Sequence, residues 1–363
     1  NLFDYVEQIY DVIKDNPDDC LALYANDDIR TYASILALWY AGKAYVPLNP
    51  VQPIDRHRDI MESVGCKTII SASNKYDINI DGINYVKTSH YTHEGYIKRN
   101  NIIFKDFSDE KLVYILFTSG STGKPKGVQI SRGNLQAFIE SMDNIGLSIT
   151  HEDRCLQPFD LSFDFSVSSY VIPLAKGASI FTIPAKVTKF IYIAALLDKY
   201  HLTILQMVPS MIRNLLPYIE ELNLGSVRYN ILCGEALTGK VISAWHKANP
   251  KMISYNMYGP TENTVFCTYY KVLSKNISNL LLANDIVSIG TTFPNSDLII
   301  VNDNNKIINC DNEEGELCLC GSQLTPGYWK NDIENKEKFF KHDNIRYYRT
   351  GDICYYSGNN IMY

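Results

Sequence analysis

The sequence is poor in what a membrane, a nucleic acid or an oxidising compartment would require. No apolar run approaches the roughly 18 residues that a spanning helix needs; the longest, around residues 33–41 and 190–197, read as buried elements. Basic charge is in deficit. Thirty-four Lys and Arg against 40 Asp and Glu leave a net charge of −6, whereas phosphate neutralisation needs clustered cations. Nucleic acid and anionic membrane are therefore excluded as main partners. The nine cysteines (Cys20, Cys66, Cys155, Cys233, Cys267, Cys310, Cys318, Cys320 and Cys354) are odd in number and irregularly spaced. That pattern predicts reduced thiols and a cytoplasmic protein. Only Cys318 and Cys320 lie close together, and no second pair or nearby His completes a zinc site, so strand packing is expected of them. Internal repeats and low-complexity tracts are missing too. The opening Asn1-Leu2-Phe3 has neither the basic nor the apolar stretch of a secretory signal. With no initiator Met and a pattern broken off at Tyr363, the chain is expected to be a fragment.

What is present is ordinary in composition, 46% hydrophobic and 20% charged, over a length of 363 residues that implies two or three domains. Strand-like segments at 112–117, 179–183, 204–208, 229–233 and 252–256 alternate with helical ones at 134–145, 190–200, 210–222 and 239–248. Upstream, a helix over 35–40 precedes a strand over 44–48, and a helix over 51–66 precedes a strand over 67–71. Such alternation predicts an α/β fold with largely parallel sheets. Beyond about Tyr269 the segments 297–301, 306–308 and 315–320 are short and turn-rich, and predict a smaller antiparallel or barrel-like region. The expected division is 1–268 for α/β sheet subdomains and 269–363 for a β-rich subdomain.

The most informative run is Thr118-Ser119-Gly120-Ser121-Thr122-Gly123-Lys124-Pro125-Lys126-Gly127, directly after a predicted strand. Its glycines allow close backbone approach to an anion, its consecutive N–H groups form a concavity for one, and its hydroxyls and lysines add donors and charge. It is not a Walker A loop, because no Gly-Lys-Ser/Thr occurs in it. The run resembles the signature of the adenylate-forming enzymes. Four further motifs, in family order, strengthen the resemblance: residues 41–50, Asn256-Met257-Tyr258-Gly259-Pro260-Thr261-Glu262, Gly315-Glu316-Leu317 continuing to Gly327-Tyr328-Trp329, and Tyr348-Arg349-Thr350-Gly351-Asp352. The chain is identified as the large N-terminal domain of such an enzyme, over residues 1–363, with the small C-terminal lid domain not in the chain. Relative to the family, the step from Asp18-Asp19 to Cys20 is abrupt.

The resemblance implies residue roles. Thr118, Ser119, Gly120, Ser121, Thr122, Gly123 and Lys126 would hold the ATP phosphates. Gly234, Glu235, Ala236, Asn256, Met257, Tyr258 and Gly259 would line the adenine site, with Tyr258 stacking on the base. Thr261 would contact the α-phosphate, Glu262 would ligate Mg²⁺, and Asp352 would bind the ribose hydroxyls. Lys126, Thr261 and Glu262 form the catalytic set.

An amino-acid substrate is implied by Asp164 in Phe163-Asp164-Phe165-Ser166, where amino-acid-activating members place an Asp against the α-ammonium. Two alternatives stand beside this: Asp164 caps the following helix, or Asp160 is the ammonium partner. Motif matching gives Phe165, Ser168, Gln206, Ile231, Cys233, Met257, Val265 and Phe266 as the remaining pocket positions. Phe165, Met257 and Phe266 are bulky, so glycine is expected first and alanine of either hand second. Cys233-Gly234-Glu235 is similar to the D-alanyl carrier protein ligases, which implies the phosphopantetheine thiol of a carrier protein as acceptor and a cell-envelope role. A peptide-synthetase adenylation domain, an acyl-CoA synthetase-like ligase and a non-catalytic nucleotide-binding homologue are the alternatives.

Overall fold

β-Branched and aromatic runs separated by short helices place the strands of this chain in successive sheets, the first two assembled largely from parallel neighbours and the last from antiparallel ones. The structure is a computed structural model and describes residues 2–73, 80, 82–94, 96, 107–118 and 125–363. The chain divides into two compact units, residues 1–135, 160–163 and 325–331 in one, and 136–159, 164–324 and 332–363 in the other.

The first unit is built on β1 (Cys20–Tyr24), β2 (Ala44–Leu48), β3 (Thr68–Ser71), β4 (Asn84–Lys87), β5 (Leu112–Thr118) and β6 (Lys126–Ser131). Their order is β4-β3-β1-β2-β5-β6, parallel throughout except for the β5–β6 pair. Helices α1 (Leu2–Ile13), α2 (Ile29–Tyr40) and α3 (Ile54–Val64) provide the connections. Each end has a local cause: Asp28 caps α2 through the Arg30 N–H, and Gly65 (φ +83) terminates α3 in the left-handed conformation. The abrupt step before Cys20 is closed by Lys43, whose ammonium donates to the Asn16 and Asp18 carbonyls. Helix α4 (Arg132–Asn144) follows.

The second unit carries a seven-stranded sheet with order β15-β12-β11-β10-β9-β7-β8. Its strands are β7 (Arg154–Gln157), β8 (Ser179–Thr182), β9 (Ile204–Met207), β10 (Tyr229–Leu232), β11 (Ile253–Tyr258), β12 (Thr268–Val272) and β15 (Thr291–Thr292); β13 (Leu282–Ala283) and β14 (Ile286–Val287) form a separate hairpin. β7 to β11 are parallel, whereas β12 and β15 run antiparallel. Helices α5 (Phe165–Ala175), α6 (Lys189–Tyr200), α7 (Pro209–Leu215) and α8 (Gly239–Ala248) complete this layer. Trp245 on α8 is fully buried among Ile193, Leu197, Leu205 and Ile242. Burying an aromatic or large aliphatic side chain of this kind contributes roughly 1.5–3 kcal/mol.

The turn-rich tail forms an antiparallel sheet of β16 (Ser296–Val301), β17 (Ile307–Ile308), β18 (Gly315–Gly321), β19 (Phe339–His342), β20 (Ile345–Ser357) and β21 (Asn360–Met362), with α9 (Asp332–Lys338) beside it. The texture change expected at Tyr269 thus falls inside β12, which still belongs to the seven-stranded sheet; the antiparallel sheet starts at Ser296. β18 is buried on both faces. Leu317 and Leu319 pack on one side, Cys318 and Cys320 on the other. All nine cysteines are unpaired. No helix among the described residues is long and apolar enough to cross a membrane.

Candidate active site

In the first unit, the antiparallel register sets Thr118 of β5 directly opposite Lys126 of β6 and pins the two ends of the predicted phosphate loop. Ser119, Gly120, Ser121, Thr122, Gly123 and Lys124 lie outside the described residues. Lys126 is buried, and its ammonium stands 5.5 Å from the centre of the Tyr328 ring, where the ring quadrupole attracts it. Residues 327–329 reach this position by pairing along β6: Tyr328 bridges Val128, and the Trp329 N–H donates to the Gly127 carbonyl at 2.7 Å. A cavity of about 320 Å³ elsewhere in this unit, lined by residues including Trp39, Tyr40 and Phe107, contains none of the predicted site residues.

The second unit holds every other predicted position. Asp164 is 8% exposed and accepts a hydrogen bond from the Thr261 hydroxyl at 2.7 Å. Its carboxylate makes no capping bond to α5. Burial pushes it up to about 6; the Thr261 hydrogen bond opposes the rise and the Glu262 charge adds to it. Asp160, the competing carboxylate, accepts from the Ser162 N–H and hydroxyl at 2.8 and 2.5 Å and is committed to that local turn.

All nine predicted pocket positions are buried. Phe165, first residue of α5, stacks on Phe159 at 4.3 Å between centroids and meets Phe266 edge-on at 5.1 Å; Phe138 supports Phe266 from behind at 5.9 Å. Three residues along α5, the Ser168 hydroxyl donates to the Gln206 amide oxygen at 2.9 Å. Gln206 faces Ile231 across the β9–β10 register. Cys233 follows β10, and burial pushes its thiol far up, with the Asp164 charge adding to the rise. Met257 lies on β11. Val265 and Phe266 come from the connection between β11 and β12. Thr264 and Val265 there adopt φ of +52° and +72°, conformations that cost β-branched residues about 1–3 kcal/mol each.

The predicted adenine, ribose and metal positions lie in the same unit. Gly234 (φ +84) uses a conformation open to glycine, and the Glu235 carboxylate turns away to the Ser210 N–H, the Ser210 hydroxyl and Arg213. That leaves the backbone of 234–236 as the surface on offer to a base. The Asn256 amide donates to the Val287 and Ser288 carbonyls at 3.3 and 2.9 Å, which makes it a brace within the sheet. The Tyr258 hydroxyl donates to Asp352 at 2.5 Å, and the Tyr363 hydroxyl reaches the other carboxylate oxygen at 3.4 Å. Burial is the largest cause pushing the Tyr258 phenol up. Glu262 is buried and close enough to Asp164 to raise it. Among the described residues no cluster of three or more His, Cys, Asp or Glu could hold a metal. A lone carboxylate fits Mg²⁺, which keeps water and phosphate oxygens as its other ligands.

Three partnerships had no local signal in the sequence. The Asp164–Thr261 bond joins residues 97 apart. Tyr328 was legible as part of a motif but not as the partner of Lys126. Gln323, whose side-chain amide donates to the Phe266 carbonyl 57 residues upstream, was not legible at all.

The order and direction of these sheets are those of the α/β large domain of an adenylate-forming enzyme. The chain belongs to the AMP-binding enzyme family, whose pattern covers residues 11–329. It is 32% identical over 336 residues to the ferrichrome siderophore peptide synthetase of Mycosarcoma maydis, covering 89% of this chain and 7% of that protein. It is 30% identical over 349 residues to the D-alanine–D-alanyl carrier protein ligase of Bacillus velezensis, covering 94% of this chain and 67% of the ligase. The solved Vibrio cholerae adenylation domain AlmE, in complex with glycyl-adenosine-5'-phosphate, is similar in fold: TM-score 0.85 at 24% identity, over 99% of this chain and 72% of that one. The Klebsiella oxytoca NpsA N-terminal subdomain, solved with 3-hydroxyanthranilyl-AMSN, gives a TM-score of 0.83 at 22% identity, over 99% and 90% of the two chains.

Proposed function

We propose that this chain binds ATP and a small amino acid and joins them as an aminoacyl-adenylate, which then passes to the phosphopantetheine thiol of a carrier protein. Glycine is the preferred substrate and alanine of either hand the next. In the first step a substrate carboxylate oxygen attacks the α-phosphorus, and the bond to the β-phosphate breaks to release pyrophosphate. In the second the carrier thiolate attacks the acyl carbon and AMP leaves. The carboxylate is already a nucleophile, so the protein's contribution is positioning and charge stabilisation.

The observation that carries this reading is Asp164, a buried carboxylate whose one side-chain donor among the described residues is the neutral Thr261 hydroxyl. Such a group calls for a cation, and the α-ammonium of an amino acid supplies one. The bulk of Phe165, Phe266 and Met257, all three buried and the two rings packed edge-on at 5.1 Å, supports a substrate with little beyond the α-carbon. Thr118, residues 119–123 and Lys126 are assigned to the ATP phosphates, Thr261 to the α-phosphate, Glu262 to Mg²⁺, Asp352 to the ribose, and Gly234, Glu235, Ala236, Asn256, Met257, Tyr258 and Gly259 to the adenine site. The named ligase from Bacillus velezensis supports the carrier acceptor. Nine unpaired thiols suit a reducing cytoplasm.

A second reading, an adenylation module within a larger peptide synthetase, is favoured by the 7% share of the Mycosarcoma maydis synthetase that this chain spans. The test is ATP–pyrophosphate exchange by the protein carrying this chain, screened over the twenty L-amino acids, D-alanine and short fatty acids. Glycine-dependent exchange is expected. Exchange driven by a fatty acid, or by no acid despite ATP binding, would show the substrate reading to be wrong.

A further inference from the structure

Two residues of the pocket wall, Val265 and Phe266, are delivered by a backbone turn that does not hold itself. Thr264 and Val265 are consecutive β-branched residues with positive φ. The Phe266 N–H donates to the Thr264 carbonyl at 3.0 Å, closing a γ-turn of the rare, strained hand on Val265. One side of this turn is braced by Gly259, where a Cβ would stand 2.6 Å from both the Phe266 Cα and the Val265 carbonyl oxygen.

The other side is braced by Gln323, a residue with no exposed surface. Its amide nitrogen donates to the Phe266 carbonyl at 2.7 Å and to the Asn263 carbonyl at 3.3 Å. Its main-chain carbonyl accepts from the Thr264 hydroxyl at 2.6 Å. Three hydrogen bonds from one residue therefore bracket the two strained positions. Buried carbonyls without a donor are costly, so these bonds oppose relaxation of the turn.

We propose that Gln323 is a positioning residue for substrate size: by clamping the turn at 263–266 it fixes where the Val265 and Phe266 side chains stand in the amino-acid pocket. The proposal rests on the pocket reading given above. Gln323 itself is not among the residues that wall the pocket. With its two donors removed, the Asn263 and Phe266 carbonyls lose their partner, Val265 relaxes toward negative φ, and the wall that excludes larger side chains gives way.

The experiment uses Gln323→Met, which keeps length and apolar bulk but carries no donor, and Thr264→Val, which removes the third bond without changing shape. The readout is kcat/KM for glycine, alanine and valine in pyrophosphate exchange, with KM for ATP measured alongside. The glycine-over-valine preference is expected to fall about tenfold in Gln323→Met and by less in Thr264→Val. KM for ATP should move by less than about twofold. Glycine and valine activities that fall together in both variants, with the preference unchanged, would overturn the clamp and leave the pocket reading intact. A wild-type protein that prefers leucine to glycine would contradict the pocket reading and this proposal with it.

Discussion

Asp164 ties the amino-acid reading to a measurable pH dependence. Burial holds its carboxyl up to about 6, so in the free protein it is charged and ready for an ammonium above that pH and neutral below it. kcat/KM for glycine is therefore expected to fall as pH drops through 6, by about tenfold per unit at the acid limit. Stability runs the opposite way. A carboxyl raised above its unfolded value binds more protons when folded, so stability is lost as pH rises from about 4 to 6. Asp164→Asn removes that burden and keeps the hydrogen bond from Thr261. Its Tm should exceed that of the wild type at pH 8 and match it near pH 4, while glycine-dependent exchange is lost. Equal Tm values at pH 8 would mean that the carboxylate is better solvated than its burial implies. The sequence names Asp164 for the ammonium and keeps Asp160 as the alternative, because both precede the same helix. In the structure Asp160 accepts from the Ser162 hydroxyl and Asp164 from the Thr261 hydroxyl, which supports the reading that takes Asp164.

Elements whose pattern is local were the legible ones. α8 spans the same residues that its periodicity predicts, 239–248, because one apolar face and a Thr238 cap at the Val241 N–H define it. The predicted helix at 210–222 divides into α7 and a 3₁₀ segment, Leu216–Glu221, beginning just before Pro217, which cannot donate to a continuing helix. The antiparallel direction of β6 and β12 left no mark on residue pattern, since periodicity reports burial and not strand direction. The connection between β11 and β12 was legible as a motif, but its strained turn was not, because Gln323 lies 57 to 60 residues downstream of the atoms it binds. Gly259 is the point where this element tolerates least. A methyl group there meets backbone atoms of Val265 and Phe266 at 2.6 Å, and backbone cannot rotate aside. Gly259→Ala is expected to cost about 2–3 kcal/mol, read as a lower urea midpoint at unchanged slope. A midpoint within error of the wild type would show that the turn has room to shift.

At the scale of the whole chain, nine thiols with eight buried give a simple count. Cys310 is the exposed one. Burial holds thiols such as Cys66 and Cys354 up to about 12, where almost no reactive thiolate exists. A thiol reagent at neutral pH should modify about one cysteine in the native protein and all nine in denaturant. Fewer than nine in denaturant would reveal a disulfide. At this scale motif order identified the family. On the substrate, the sequence speaks only through residue size and one carboxylate. How tightly the wall closes depends on packing between α5, β11 and the 263–266 turn, which the sequence does not state.

The central claim is that the pocket recognises a small side chain together with an ammonium. The most direct measurement is calorimetric affinity of this chain for non-hydrolysable acyl-adenylate analogues: glycyl, leucyl, and acetyl, which lacks the ammonium. The glycyl analogue should bind about tenfold or more tightly than either of the others, and its advantage over acetyl should vanish in Asp164→Ala. A leucyl analogue that binds as well as glycyl, or an acetyl analogue that matches it in the wild type, would contradict the account.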